Sequence, residues 1–183
     1  MHPAAFIALG FSLSYIVYAV LLFRNEEGVK RGLTAFPRSR IPGLVLTAIA
    51  LAWAVWHVRQ IPFEVFTFIP KIALFGAPVL YYLIITEMKD LLSVRSLGAV
   101  MMLAGVAILD AIRWHDSSWR LVITTVVYLM GVKGMFFTAS PYWFRYGVEW
   151  MWAKPGRITF VRLMAVGMAV VMGILVPVLR TSA

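Results

Sequence analysis

Long apolar runs separated by short charged segments dominate the pattern of hydrophobic and polar positions in this chain. A helix needs about 20 apolar residues to cross the hydrocarbon core of a bilayer. Six runs approach that length: 4–23, 41–58, 66–86, 97–112, 121–137 and 163–179. The pattern therefore predicts an all-α integral membrane protein, with six transmembrane helices forming a single helical domain over residues 1–183.

Three of these runs carry features that weaken the pattern. The run 66–86 contains Lys71 and Pro78, and the proline predicts a kink. The run 97–112 is short and has Asp110 near its end, while 121–137 is interrupted by Lys133. If the last two runs did not cross the bilayer, we would expect them to form a re-entrant pair.

Composition supports a lipid environment. Hydrophobic residues make up 62% of the chain and charged residues only 14%, whereas soluble domains are about half apolar and about a quarter charged.

The absence of cysteine excludes disulfides, thiolate metal sites and a cysteine nucleophile. No basic residue precedes the first run and Arg24 follows it, which predicts a retained first span rather than a cleaved signal peptide.

The net charge of +9 is distributed unevenly between the connecting segments. The segments after the first, third and fifth spans hold Arg24, Lys30, Arg31, Arg38, Arg40, Lys89, Arg95, Arg145, Lys154, Arg157 and Arg162. The opposite side holds Arg59, Lys71, Arg113, Arg120 and Arg180. Basic loops favour the cytoplasm and anionic lipid. This distribution predicts three hairpins that turn on the cytoplasmic side and termini outside, periplasmic in a bacterial inner membrane, with no nucleic-acid partner.

Small residues at helical spacing predict helix contacts, because small side chains let helices approach closely in lipid. The candidates are Ala8 and Ser12 in the first span, Ala48 and Ala52 in the second, and Ala165, Ala169 and Gly173 in the sixth. The sequence leaves open whether they join spans of one chain or of neighbouring chains.

Three histidines, His2, His57 and His115, fall on the predicted outer side. They are weak candidates for a metal site, because no pair has the spacing of ligands on one helix. The sequence leaves two further alternatives open, a haem bound between His57 and His115 and a (bacterio)chlorophyll bound by His57. The alternative is three amphipathic residues at the interface, so no metal and no cofactor is predicted.

Charged residues near lipid are further candidates, because burying a charge there is costly. Lys133 lies four residues from the end of its span, so its stem can reach the headgroups. A pair with Glu87 is the alternative. Asp110 and Arg113, three residues apart, are expected to neutralise each other.

Two connecting segments contain helix signals. Asn25 is placed to cap a short helix that Pro37 ends. The segment SPYWFRYGVEWMWAKPG predicts a short interfacial helix near 141–153, ended by Pro155 and Gly156, with a possible ion pair between Arg145 and Glu149. One face of this helix carries Trp143, Tyr146 and Trp150. That face is expected to meet lipid, with a partner subunit as the main alternative. A stacked ligand platform is the third alternative.

The sequence favours a non-catalytic subunit of a larger or self-associating membrane complex, with the bilayer and other membrane subunits or copies of itself as partners. No nucleophile motif and no catalytic residue is identified. The first alternative is a small-solute transporter or membrane solute-binding subunit, which requires convergence of Ser12, Ser14, Tyr15, Tyr18, Tyr81, Tyr82 and Thr124. The others are a pigment- or haem-binding subunit and a lipid-acting enzyme, the latter using His57, His115 and Asp116 or Glu87, Asp90 and Lys133.

Overall fold

The architecture is a series of long apolar helices joined by short connections. The computed structural model describes residues 3–60, 68–88 and 91–181. The helices in this part of the chain are α1 (Pro3–Arg24), α2 (Glu26–Ala35), α3 (Arg40–Gln60), α4 (Ile69–Glu87), α5 (Leu92–Ile112), α6 (Arg120–Ala139), α7 (Tyr142–Trp152) and α8 (Pro155–Thr181), with a 3-10 helix at Phe36–Arg38. No strand occurs in these residues.

Six of these helices, α1, α3, α4, α5, α6 and α8, are long and apolar enough to cross a membrane, with mean hydropathy between 1.6 and 2.2. The prediction of a six-span membrane protein is confirmed at this level. α5 and α6 have 21 and 20 residues, so neither is too short to span. The predicted start of the third span, at residue 66, lies outside the described residues.

The segment before α8 differs from the sequence prediction. Pro155 and Gly156, predicted to end the aromatic helix, instead begin α8, while α7 ends at Trp152. Proline suits the first helical turn because the N–H it lacks would have no intrahelical partner there. The predicted cap of α2 is confirmed, since the Gly28 N–H donates to Asn25 Oδ1 over 3.0 Å.

The chain divides into two compact units. Unit 1 comprises Met1–Thr34, Gly105–Met130 and Phe144–Ala183. In unit 1, α1 and α8 run antiparallel, because Ser12 Oγ donates to the Ala169 carbonyl over 3.0 Å and Arg162 donates to the Leu22 carbonyl over 2.9 Å. The core is apolar and consists of Ala4, Ala5, Ala8, Ile112, Ile123, Val127, Met172, Leu175 and Leu179.

Unit 2 comprises Ala35–Ala104 and Gly131–Trp143. Many of its buried positions hold small or hydroxyl-bearing residues: Gly43, Thr47, Ala50, Ser93, Ser96, Gly98 and Gly134. Thr47 Oγ1 and Ser96 Oγ lie 2.6 Å apart and join α3 to α5. A Cβ added to Gly98 would lie 2.5 Å from the Gly134 carbonyl oxygen, so α5 and α6 cross with their backbones almost in contact.

Candidate functional site

His115 is a buried structural residue of unit 1. It is 2% exposed, its Nδ1 accepts the Ser117 N–H over 3.1 Å, and its Nε2 lies 3.1 Å from the Leu179 carbonyl oxygen. Since Nδ1 accepts, the proton is on Nε2, which donates to the carbonyl of α8. Both ring nitrogens are therefore engaged, and a metal or haem iron would have to break one of these bonds.

His57 has a different environment, near the end of α3 in unit 2. Its ring stacks on Trp53 with centroids 6.3 Å apart and planes inclined by 14°. Its Nε2 is buried and has no hydrogen-bond partner among the described residues. The ring therefore keeps one nitrogen available for an axial ligand bond or a water. His2 lies outside the described residues, and the described residues contain no group of three His, Cys, Asp or Glu able to hold a metal.

The small residues predicted to contact other helices occupy two kinds of position. Ala8, Ser12, Ala165 and Ala169 are buried in unit 1, and a Cβ on Gly173 would lie 3.4 Å from Ser12 Oγ. Ala48 and Ala52, in contrast, are exposed. The α3 stripe that packs inside unit 2 instead contains Gly43, Thr47 and Ala50.

Two charge pairs considered from the sequence, the alternative pair Lys133–Glu87 and the expected pair Asp110–Arg113, do not form in the described residues. Lys133 and Glu87 are both exposed and unpaired with each other. Asp110 does not reach Arg113; the Arg113 guanidinium instead lies 4.9 Å from the centre of the Trp114 ring. The expectation of a neutralised Asp110–Arg113 pair is wrong, because an exposed pair gains little Coulomb energy in high dielectric and a cation–π contact is available to the guanidinium.

The three aromatic residues predicted on one face of α7 are exposed: Trp143 by 55%, Tyr146 by 61% and Trp150 by 37%. Trp143 packs edge-on against Phe136, with ring centroids 6.0 Å apart. The Arg157 guanidinium lies 4.8 Å from the Trp150 ring. Arg145 and Glu149 form the predicted ion pair at 3.9 Å.

An ion-pair cluster in unit 1 was not predicted from the sequence. Glu26 pairs with Arg162 and accepts the indole N–H of Trp152 over 3.0 Å, and Arg162 also lies over the Phe23 ring. This cluster joins the end of α1, the first residue of α2, the end of α7 and the first turns of α8. The sequence signal was the position of Glu26 just after one span and Arg162 just before another, on the same predicted membrane side.

Unit 2 contains a groove of about 600 Å³, which we call the unit 2 groove. It is lined by Thr47, Ala50, Leu51, Ala54, Ile84, Met88, Leu92, Arg95, Ser96, Ala99, Met102, Leu103 and Thr138. Apolar side chains form most of its wall. Arg95 is the only ionisable residue among them, and it sits near the start of α5.

No protein-family model, curated protein or solved structure matches this chain. The function is therefore inferred from the chain's own residues.

Proposed function

We propose that this chain is a non-catalytic integral membrane subunit that acts by assembling with other membrane subunits or with copies of itself. The observation that carries the proposal is α4, which buries none of its residues in its own chain. Phe75 is 76% exposed and Tyr82 is 64% exposed. A helix of a bundle ordinarily buries one stripe against its neighbours, so α4 is the surface best suited to a second protein.

Small residues on α3 also suit an intermolecular contact. Ala48 and Ala52 are exposed in unit 2, although such residues favour close helix contact in lipid. A helix from another chain is the partner that would use them.

Cross-linking in native membranes tests the proposal directly, because the chain contains no cysteine. Phe75→Cys on α4 is the test variant. Val171→Cys on α8 is its matched control, since Val171 is also exposed, by 43%. We expect Phe75→Cys to cross-link to itself or to a membrane partner and Val171→Cys to remain monomeric. Monomers for both variants, with no copurifying protein in native mass spectrometry, would contradict the proposal.

Solute transport has less support, because hydroxyls proposed for a solute site are engaged by backbone carbonyls. Ser12 donates to the Ala169 carbonyl, Ser14 to the Gly10 carbonyl and Thr124 to the Arg120 carbonyl. Tyr82 is mostly exposed. Thermal stabilisation of the purified protein by a small polar solute would restore this alternative.

Pigment or haem binding rests on His57, through its Nε2. A lipid-acting enzyme would use either His57, His115 and Asp116, of which His115 is already bonded, or Glu87, Asp90 and Lys133, of which Glu87 and Lys133 are exposed. An absorption band of the purified protein that is lost on His57→Phe would support the pigment alternative. A spectrum with protein absorbance only would end it.

We propose the topology predicted from the charge distribution, in which three hairpins turn on the cytoplasmic side and both termini lie outside. It is supported within unit 1 by the antiparallel α1 and α8, and within unit 2 by Arg95 of α5 lying beside Thr138 of α6. An impermeant thiol reagent on intact cells should label Ser118→Cys and leave Thr34→Cys unlabelled; the reverse pattern would invert the orientation.

We further propose that α7 lies flat in the membrane interface. Its exposed aromatic residues suit the headgroup level, and Trp152 ties its end to Glu26. A spin label at position 143 should report interfacial depth; full solvent accessibility there would favour a water-exposed docking helix.

A further inference from the structure

The unit 2 groove has the dimensions of one membrane leaflet. Along α5 its wall extends from Leu92 to Leu103, which is about 16 Å of helix rise and about half of a ~30 Å hydrocarbon core. Its volume of about 600 Å³ lies within the ~300–1,000 Å³ typical of small-molecule sites. A groove of this depth matches an acyl chain that reaches from the headgroup level toward the bilayer midplane.

The wall of the groove is suited to a hydrocarbon chain. Ala50 and Ala54 of α3 and Ala99 of α5 keep it open, because their side chains are too short to fill the space between the helices. Leu51, Met102 and Leu103 supply apolar contacts. The hydroxyls of Thr47 and Ser96 bond to each other and to carbonyls of their own helices, so they add little polarity.

Arg95 supplies a positive charge whose donors are incompletely used. Among the described residues, its Nη1 approaches the thioether sulfur of Met88, at 3.8 Å, and its Nε is buried with no hydrogen-bond partner. Within the described residues Arg95 pairs with no carboxylate. A buried donor without an acceptor is costly, and a phosphate oxygen would satisfy it with a charge-assisted bond.

A second cavity adds positive charge near the same end of the groove. It has a volume of about 190 Å³, shares Leu92 with the unit 2 groove, and is lined by Arg38 and Arg40. Both of these arginines are exposed. The electrostatic environment beside Leu92 therefore favours an anionic headgroup over a zwitterionic one.

We propose that the unit 2 groove is a specific site for one anionic glycerophospholipid, with its phosphate on the Arg95 guanidinium and an acyl chain along Ala50, Ala54 and Ala99. The lipid belongs to the leaflet at the Arg95 end of α5, which is the cytoplasmic leaflet in the topology proposed above. The site does not depend on the assembly function: a monomer would bind the lipid equally well.

Native mass spectrometry of the full chain in mild detergent tests the proposal, with phosphatidylglycerol and phosphatidylcholine of identical acyl chains as probes. Both lipids present a phosphate to Arg95, but the quaternary ammonium of phosphatidylcholine would add a positive charge beside Arg95, Arg38 and Arg40, so we expect phosphatidylglycerol to bind roughly tenfold more tightly. Arg95→Gln should weaken both lipids and reduce this preference. Arg145→Gln, which removes an exposed arginine of unit 1, should leave it unchanged. Glycerol phosphate, which has no acyl chain, should not compete.

A second variant tests the acyl-chain part of the site. Ala99→Leu fills the groove and should weaken both lipids, while leaving Arg95 in place. Thermal unfolding of each variant shows whether it has kept its fold. If Ala99→Leu is unfolded, Ala54→Leu replaces it. If Arg95→Gln is unfolded, Arg95→Lys replaces it, and the lysine is expected to retain part of the preference for phosphatidylglycerol. Equal binding of the two lipids by the wild type, or equal losses for Arg95→Gln and Arg145→Gln, would overturn the proposal.

Discussion

The two units of this protein bury different kinds of residue. The core of unit 1 includes Ile112, Ile123, Met172 and Leu179, each at most 2% exposed, against an alanine-rich face of α1. Unit 2 brings its helices together at glycines, serines and threonines, and it leaves a groove open and no residue of α4 fully buried. Unit 1 thus adds large buried side chains to the small-residue contact between α1 and α8, whereas unit 2 relies mainly on close backbone approach.

The difference separates the tasks that we assign to the two units. Large interlocking side chains resist rearrangement because interiors are close-packed, so unit 1 is suited to be the rigid part of the chain. Helices that meet at small residues leave space where their side chains end. In unit 2 that space is the groove, and α4, none of whose residues is fully buried, is the surface available to another subunit.

The largest expected effect comes from opening a cavity in unit 1. Ile123 is 0% exposed, and Ile123→Ala should lower the free energy of unfolding by about 3 kcal/mol, from lost contacts and a residual cavity. Denaturation in detergent micelles measures this loss. Leu129→Ala on the same helix is the control, because Leu129 is 58% exposed and its change should stay near 0.5 kcal/mol or less, as for other surface substitutions. Equal losses would mean that unit 1 is not packed by side-chain volume.

The sequence could predict the helices but only part of their packing. Apolar runs define spans because their length is matched to the bilayer, and that signal is local. The contact face of α3 is not local: it depends on Ser93 and Ser96, about 50 positions away. An alanine-rich helix presents small residues on several faces, so Ala48 and Ala52 were as plausible from the sequence as Gly43 and Thr47.

The candidate site shows the same limit. His115 and His57 were equivalent in the sequence, as single histidines at the ends of apolar runs. The structure distinguishes them because His115 meets the carbonyl end of α8, 64 residues further along the chain, while His57 stacks on Trp53 of its own helix. No sequence pattern predicted the unit 2 groove, since it is an unfilled space between helices that are distant from one another in the sequence.

A smaller effect is expected at the closest backbone crossing of unit 2. A Cβ on Gly98 would lie 2.5 Å from the Gly134 carbonyl oxygen and 2.5 Å from Thr138 Oγ1, so Gly98→Ala must push α5 and α6 apart. We expect a loss of about 2 kcal/mol in the free energy of unfolding, within the range for overpacked sites. Gly131→Ala on α6 has nothing within 4 Å of its added Cβ and should be neutral or slightly stabilising. A tolerated Gly98→Ala would show that unit 2 is not held by close backbone approach.

The smallest expected effect tests whether hydrogen bonds, rather than backbone approach, hold unit 2 together. Thr47→Val keeps the shape of the side chain but removes the hydroxyl that bonds Ser96 and the Gly43 carbonyl. Ser96 retains its bond to the Leu92 carbonyl at 2.8 Å, so no buried donor is left without an acceptor. Hydrogen bonds between membrane helices contribute about 0.6 kcal/mol on average, and we expect a loss in the free energy of unfolding of that size. Thr125→Val is the control, because the Thr125 hydroxyl is exposed and bonds only its own helix at Leu121. If Thr47→Val instead lowered the free energy of unfolding as much as Gly98→Ala, the α3–α5 hydroxyl pair would be as important for stability as the α5–α6 crossing. Unit 2 would then be held by hydrogen bonds, and a polar network would border the groove.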